Sequence, residues 1–268
     1  MHNQSSRIDK RLTRLIFALA TPVVLSSQLD TLVGVVDIYL VGDLGPDAIA
    51  AVGISQILTM VIGVVMISVS TGAFALVAQG TGANDERTVS ATTKQALVLV
   101  AAISSLLSLV GIAFAQTALE VLSMPPSVVE FGAGYLHVFF AGLSFMALNF
   151  TLNNCLYGAG DARTPLYLNL FMSVLKIAFS YLLIFGIGPL PPLGVTGAAI
   201  ATVLSRAAGF TLSIALVKSN RLKIRFLPKT SYVPERDAQN ACCASVFLRP
   251  CRVFFETAPA SSLLNSWP

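Results

Sequence analysis

The stretch LIFALATPVVLSSQLDTLVGVVDIYLV, residues 15–41, decides the fold of this chain. It is longer than the roughly 20 apolar residues that a helix needs to cross a bilayer. It nevertheless contains two carboxylates, Asp30 and Asp37, and a charged side chain in hydrocarbon costs at least ~2.5–3.5 kcal/mol. A span that served only as an anchor would not need that cost. The stretch therefore predicts a transmembrane helix that contributes to a pathway for ions or solutes.

The two acids lie on the same face of the predicted helix. Seven residues turn a helix through about 700°, so Asp30 and Asp37 project in nearly the same direction, roughly 10 Å apart along the axis. Gly34 lies between them and leaves space beside the backbone. Pro22 removes one backbone hydrogen bond further upstream, and we expect it to kink the helix.

Composition places the whole chain in the membrane. Of its 268 residues, 55% are hydrophobic and only 11% are charged, against about 25% charged residues in soluble domains. Five further apolar runs are near or above the length of a span, and turn or charged residues bound them. We predict an all-α membrane protein of six transmembrane helices, with spans at about 15–41, 48–78, 95–117, 128–157, 165–186 and 195–217.

Outside the predicted spans and the tail, lysine and arginine occur only in the leader and in alternate links. They occur in the leader, residues 1–14, after spans 2 and 4, and in the segment 218–231, whereas the links after spans 1, 3 and 5 contain none. Positive loops stay on the cytoplasmic side of a membrane. The pattern predicts a multi-pass protein of the plasma membrane (in a bacterium, the inner membrane) with both termini cytoplasmic. Because topology accounts for the basic residues, we expect no nucleic-acid partner.

The composition changes at about residue 232. Residues 232–268 show no helical period and contain three of the four cysteines. This irregular tail does not resemble a continuation of the preceding spans, and a change of reading frame or a truncated reading is a hypothesis for it. Neither the cysteines nor the two histidines show metal-ligand spacing, so no metal site is predicted.

Two cations lie inside the last two spans, at a depth similar to that of Asp30. They are Lys176 in span 5 and Arg206 in span 6. Charges near the membrane midplane need partners, and the two acids of span 1 and these two cations sum to zero charge. We therefore expect Asp30 to pair with either Lys176 or Arg206, as part of ion coupling or as a structural contact.

Asp37 is the better candidate for binding a coupling ion, because a buried carboxylate can load and release H⁺ or Na⁺. The alternative is a structural acid at the membrane boundary. Asn149 and Asn153 of span 4 are four residues apart and share a face. They and Gln56 of span 2 are predicted to hydrogen-bond either a solute in a cavity or a neighbouring helix.

Three segments resemble one family, the multidrug and toxic compound extrusion (MATE) transporters. VDIYLVGDLGPDAIAAVGIS (36–55) is similar to their junction of spans 1 and 2, LYGAGDARTPL (156–166) to their link between spans 4 and 5, and GVTGAAIATVLSR (194–206) to the start of their span 6. The order of the segments, the number of spans and the basic links agree with that family. The resemblance covers residues 8 to about 229 and is nearest to the branch that includes DNA-damage-inducible protein F.

The resemblance implies secondary active antiport, in which cationic, aromatic or amphipathic drugs and toxic compounds are exported in exchange for H⁺ or Na⁺. It implies no cofactor beyond that coupling ion. The chain would form one six-helix lobe of a transporter that has two lobes around a cleft. Asp37 would then be the span 1 acid of the family, Pro22 its kink proline, and Tyr135 a span 4 tyrosine near the proton site.

Span 5 departs from the family pattern. The branch usually has Asn and Asp four residues apart as partners of the span 1 acid, and this chain has Lys176 and Ser180 at those positions. Asp30 also replaces what is more often a neutral polar residue. These departures favour Lys176 as the partner of Asp30, and they weaken the expectation of Na⁺ binding, because an ammonium group repels Na⁺.

Only one lobe is recognisable, and one lobe cannot alternate access by itself. The first explanation is a truncated, non-transporting membrane fragment; the others are pairing of two copies or a second chain that supplies the other lobe in trans. A mitochondrial-type carrier would need three repeats of a Pro-x-Asp/Glu-x-x-Lys/Arg motif, which is absent. An intramembrane protease would need a serine paired with His137, and no convincing one exists, so we expect no enzyme activity.

Overall fold

A computed structural model describes residues 2–121, 125–186 and 192–219 of the chain. Each of the six helices in these segments contains a stretch that is long and apolar enough to cross a membrane. The all-α fold with six spans that the sequence predicts is therefore confirmed. The helices are α1 (His2–Gly42), α2 (Pro46–Gly82), α3 (Glu86–Val121), α4 (Pro126–Gly158), α5 (Arg163–Phe185) and α6 (Gly194–Lys218).

The helices extend beyond the predicted spans, most clearly at α1 and α3. The basic leader continues into the first span without a break, and α1 also runs through Pro22. The polar residues between predicted spans 2 and 3 are mostly helical, because α3 already begins at Glu86. The rest of the basic link after span 6 and the tail, with Cys242, Cys243 and Cys251, lie outside the described residues.

Aspartate side chains cap the first turns of α3 and α5 in the same way. Asp85 accepts hydrogen bonds from the Thr88 backbone at 3.2 Å and from its hydroxyl at 2.6 Å. Asp161 accepts the equivalent bonds from Thr164 at 3.1 and 2.7 Å. These bonds satisfy backbone donors that a helix start leaves free. The two hydrogen bonds from Thr88 also hold the pKa of Asp85 below its usual range.

The centre of the bundle is α4, which packs against α2, α3 and α6, whereas α5 packs against α6 and α1. The main core cluster includes Leu136, Phe140 and Leu143 of α4. Small residues let helices approach closely. A Cβ atom at Gly197 of α6 would lie 2.8 Å from the carbonyl oxygen of Leu183 in α5. The close crossing of α5 and α6 thus depends on glycine, which has no side chain, at position 197.

Gly197→Ala should destabilise the protein, because the added methyl group meets backbone atoms that cannot rotate away. Overpacking of this kind typically costs about 1–3 kcal/mol of unfolding free energy. Thermal unfolding of the purified protein in detergent, followed by circular dichroism, measures the effect. Gly53→Ala is the matched control, because a Cβ atom there has nothing within 4 Å. Equal stability of the two variants would contradict the close approach.

Candidate functional site

A buried charged site joins α1 to α5 at Asp37. Its Oδ2 forms an ion pair with Lys176 Nζ, and its Oδ1 accepts a long hydrogen bond of 3.4 Å from Ser180 Oγ. Lys176 and Ser180 are four residues apart and therefore lie on one face of α5. Tyr135 of α4 is also buried and interacts electrostatically with Asp37. The site thus collects side chains from three helices around one carboxylate.

The partner predicted for Lys176 is wrong, since Lys176 contacts Asp37 and not Asp30. Sequence distance gives the depth of a residue along its own helix, and Lys176 is compatible in depth with either acid. It does not give the rotation of one helix against another, which decides the partner. Here Asp37 is buried against α5, whereas Asp30 is exposed.

Asp30 pairs with Arg206 of α6, which is the second of the two partners considered from the sequence. The distance between Arg206 Nη2 and Asp30 Oδ1 is 3.4 Å, and the two side chains are 29% and 50% exposed. Both residues line a cavity. This pair is weaker than the one at Asp37, because exposure screens the attraction.

The cavity has a volume of about 520 Å³ and lies among α1, α2, α4, α5 and α6. Much of its wall is apolar, with Phe139, Met146 and Phe150 of α4 among the lining residues. A volume of this size and an apolar wall with few polar groups are typical of small-molecule sites. The polar lining residues include Ser26, Asp30, Asn153, Asn154, Tyr157, Asn169 and Arg206.

One buried acceptor in the cavity wall, Asn153 Oδ1, lacks a hydrogen-bond partner among the described residues. The Ser26 hydroxyl, also buried there, has the Tyr157 hydroxyl as a hydrogen-bonding neighbour. The amide nitrogen of Asn153 is satisfied, because it donates to Asn149 Oδ1 at 3.1 Å and to Asn169 Oδ1 at 3.5 Å. A buried polar atom without a partner costs about 1–3 kcal/mol. A hydrogen-bond donor inside the cavity would remove that cost.

The predicted site residues divide between these two places. Asp30, Asn153 and Arg206 line the cavity, whereas Asp37, Lys176, Ser180 and Tyr135 form the buried site outside its lining. Asn149 shares a face with Asn153, as predicted, but lies behind the wall, where its amide contacts Met172 Sδ at 3.4 Å. Gln56 is exposed and belongs to neither place.

Sequence analysis missed several cavity residues. Ser26 precedes Asp30 by four residues on α1, so helical periodicity alone would have placed it on the same face. Tyr157 continues the Asn149 and Asn153 face of α4 by another four residues. Asn169 offers no comparable signal, because only the packing of α5 against its neighbours brings it to the cavity.

Comparisons with known proteins agree with this architecture. The MatE family model matches residues 22–182. The probable multidrug resistance protein YoeA of Bacillus subtilis is 30% identical over 206 residues, which are 76% of this chain and 44% of that protein. DNA damage-inducible protein F of Escherichia coli is 25% identical over 79% of this chain and 45% of its own length. The chain spans about half the length of the curated relatives it matches.

Solved structures show the same fold. A multidrug resistance MATE family transporter in an outward-facing conformation has a TM-score of 0.75 and 25% identity, over 87% of this chain and 51% of that one. A transporter of the MOP superfamily from Pyrococcus furiosus, described as having a binding pocket of reverse polarity, has a TM-score of 0.79 and 23% identity. The matched region is 87% of this chain and 50% of the Pyrococcus furiosus chain.

Removal of one partner of the Asp37–Lys176 pair leaves an uncompensated charge in the protein. We expect Asp37→Asn to lower the free energy of unfolding by about 3 kcal/mol, the lower end of the range for buried pairs, because Lys176 keeps 16% side-chain exposure. The double variant D37N/K176Q should recover most of that loss, since neither charge remains. Thermal unfolding in detergent measures all variants.

Asp43→Asn is the control for this experiment, because Asp43 is an exposed acid just beyond α1. It should leave the unfolding temperature unchanged. A double variant that is no more stable than Asp37→Asn would show that the two charges do not compensate each other.

Proposed function

The chain belongs to the MatE family, and from that premise we propose that it is one lobe of a secondary antiporter that exports cationic or amphipathic small molecules in exchange for H⁺. The observation that carries the proposal is the cavity of about 520 Å³. It combines apolar and aromatic walls with the half-exposed carboxylate of Asp30, which is paired with Arg206, and with the unpartnered acceptor of Asn153. An amphipathic cation with hydrogen-bond donors would compete with Arg206 for Asp30 and donate to Asn153.

The relatives support this class of substrate. YoeA is named a probable multidrug resistance protein, and so is NorM of Thermotoga maritima, which is 28% identical over 78% of this chain and 46% of its own length. As a member of the MatE family, the chain is expected to be a transporter rather than an enzyme. We expect this chain to lie in a bacterial inner membrane, with the basic starts of α3 and α5 on the cytoplasmic side.

Asp37 is the proposed proton-binding group. Protonation would cancel its charge and release Lys176, so a proton would break the ion pair between α1 and α5. A change in helix packing that depends on the coupling ion is what an antiporter needs. The other lobe would come from a longer form of the same chain, from a second chain in trans or from a second copy. The alternative is a membrane fragment that binds solute without transporting it.

A bulky side chain at Gly63 should block the cavity. Gly63 lines it, and a Cβ atom there has nothing within 4 Å, so Gly63→Phe fills space without a backbone clash. We expect binding of ethidium, a fluorescent aromatic cation, to the purified chain to weaken at least about tenfold, which is about 1.4 kcal/mol. Gly53→Phe, on the same helix but outside the cavity, is the control. Equal binding by both variants would place the solute elsewhere.

If a second copy supplies the other lobe, cells that express this chain should export ethidium, and collapse of the proton gradient should stop that export. D37N/K176Q should abolish proton-dependent export, because the group that takes up the proton is gone, although the double variant keeps a charge-balanced interior. Measurements of dye accumulation, with membrane insertion checked by fractionation, test this. Insertion without export by the unsubstituted chain would favour the fragment.

A further inference from the structure

Both carboxylate oxygens of Asp37 are already engaged. Oδ2 pairs with the Lys176 ammonium, and Oδ1 accepts the hydrogen bond from Ser180. Only 11% of the Asp37 side chain is exposed. A metal ion that reached this carboxylate would therefore need room beside two side chains that α5 holds in place.

Lys176 places a positive charge where a free cation would otherwise neutralise Asp37. Like charges a few ångströms apart repel strongly when water is largely excluded. A hard metal cation also takes several oxygen ligands, whereas the lysine supplies none. A proton differs from a metal ion in both respects, because it adds to a carboxylate oxygen without further ligands or space.

We propose that Lys176 is a resident cation that excludes Na⁺ from Asp37. When a neutral side chain with an amide oxygen replaces Lys176, that oxygen, Asp37 and the Ser180 hydroxyl form a Na⁺ site. This inference rests on the proposed role of Asp37 as the ion-binding group, and it assigns the choice of ion to a single residue of α5.

The charges around the site support this assignment. From α5 the groups that face Asp37 are Lys176 and Ser180, and from α4 the facing titratable group is Tyr135. Asp30, two turns away on α1, is compensated by Arg206. Loss of the Lys176 charge would therefore leave one negative charge at Asp37, with the Ser180 hydroxyl beside it.

The test is Na⁺-dependent thermal unfolding of the purified 268-residue chain, with choline replacing Na⁺ at constant ionic strength. A cation that binds only the folded state raises the unfolding temperature by mass action. We expect no Na⁺ dependence in the unsubstituted chain. Lys176→Gln should gain a saturable Na⁺-dependent rise, with an affinity at least about tenfold above that of the unsubstituted chain, and D37N/K176Q should lose it.

Arg163→Gln is the matched control. It removes an exposed positive charge from the first residue of the same helix, about 20 Å from Lys176 along the axis, and should remain insensitive to Na⁺. Lys176→Asn removes the same charge as Lys176→Gln but has a shorter amide side chain. It replaces Lys176→Gln in the unfolding test if Lys176→Gln does not fold. Binding of radiolabelled sodium to the unsubstituted chain provides a measurement that depends on no variant.

Two results would overturn the inference. One is saturable Na⁺ binding to the unsubstituted chain that Asp37→Asn abolishes. The other is the absence of Na⁺ dependence in a folded Lys176→Gln or Lys176→Asn variant. Because this assay requires no transport, absence of dye export together with the expected Na⁺ results would refute the proposed function alone.

Discussion

Asp37 lies within a membrane helix, and its negative charge is compensated across a helix boundary by Lys176. The position of α1 depends on this contact, because most residues of α1 between Ala20 and Gly42 are exposed. The hydrophobic effect supplies little to hold such a helix, since lipid is as apolar as a leucine side chain, and close packing and polar contacts act instead. A charge without a partner would be costly in the bilayer. The Asp37–Lys176 ion pair therefore adds to the packing that holds α1 against α5.

The second ion pair of α1 has a different environment. Asp30 and Arg206 are open to the cavity, whereas Asp37 and Lys176 are mostly enclosed. The two acids are separated by about 10 Å along one helix, and their partners lie on α5 and α6, which pack against each other. Any movement of α1 relative to those two helices changes both contacts. A solute at Asp30 and a proton at Asp37 would thus act on the same rigid element.

The sequence was sufficient for the fold and for much of the chemistry. Six apolar runs predicted six helices, the acids of α1 were identified as unusual, and three short segments indicated the family. Periodicity could not give the partner of Lys176, because it orders residues around one helix and does not relate the faces of two. The resemblance did place Lys176 and Ser180 at positions that pair with the span 1 acid, and both contact Asp37. The cavity role of Asn169 was inaccessible for the same reason, whereas Ser26 and Tyr157 were within reach of the four-residue rule. The functional roles of these residues stay predictions.

The turn between α2 and α3 bears on how the protein enters the membrane. Only residues 83–85 separate two helices of 37 and 36 residues, so neither helix can cross the bilayer far from the other. They therefore form an antiparallel hairpin, and the Asp85 side chain accepts a hydrogen bond from the first turn of α3. Because Asp85 is exposed, this capped turn belongs at the membrane surface rather than in hydrocarbon, where unsatisfied backbone donors are expensive. When the hairpin crosses a membrane, the end of α2 and the start of α3 are thus held at the same surface.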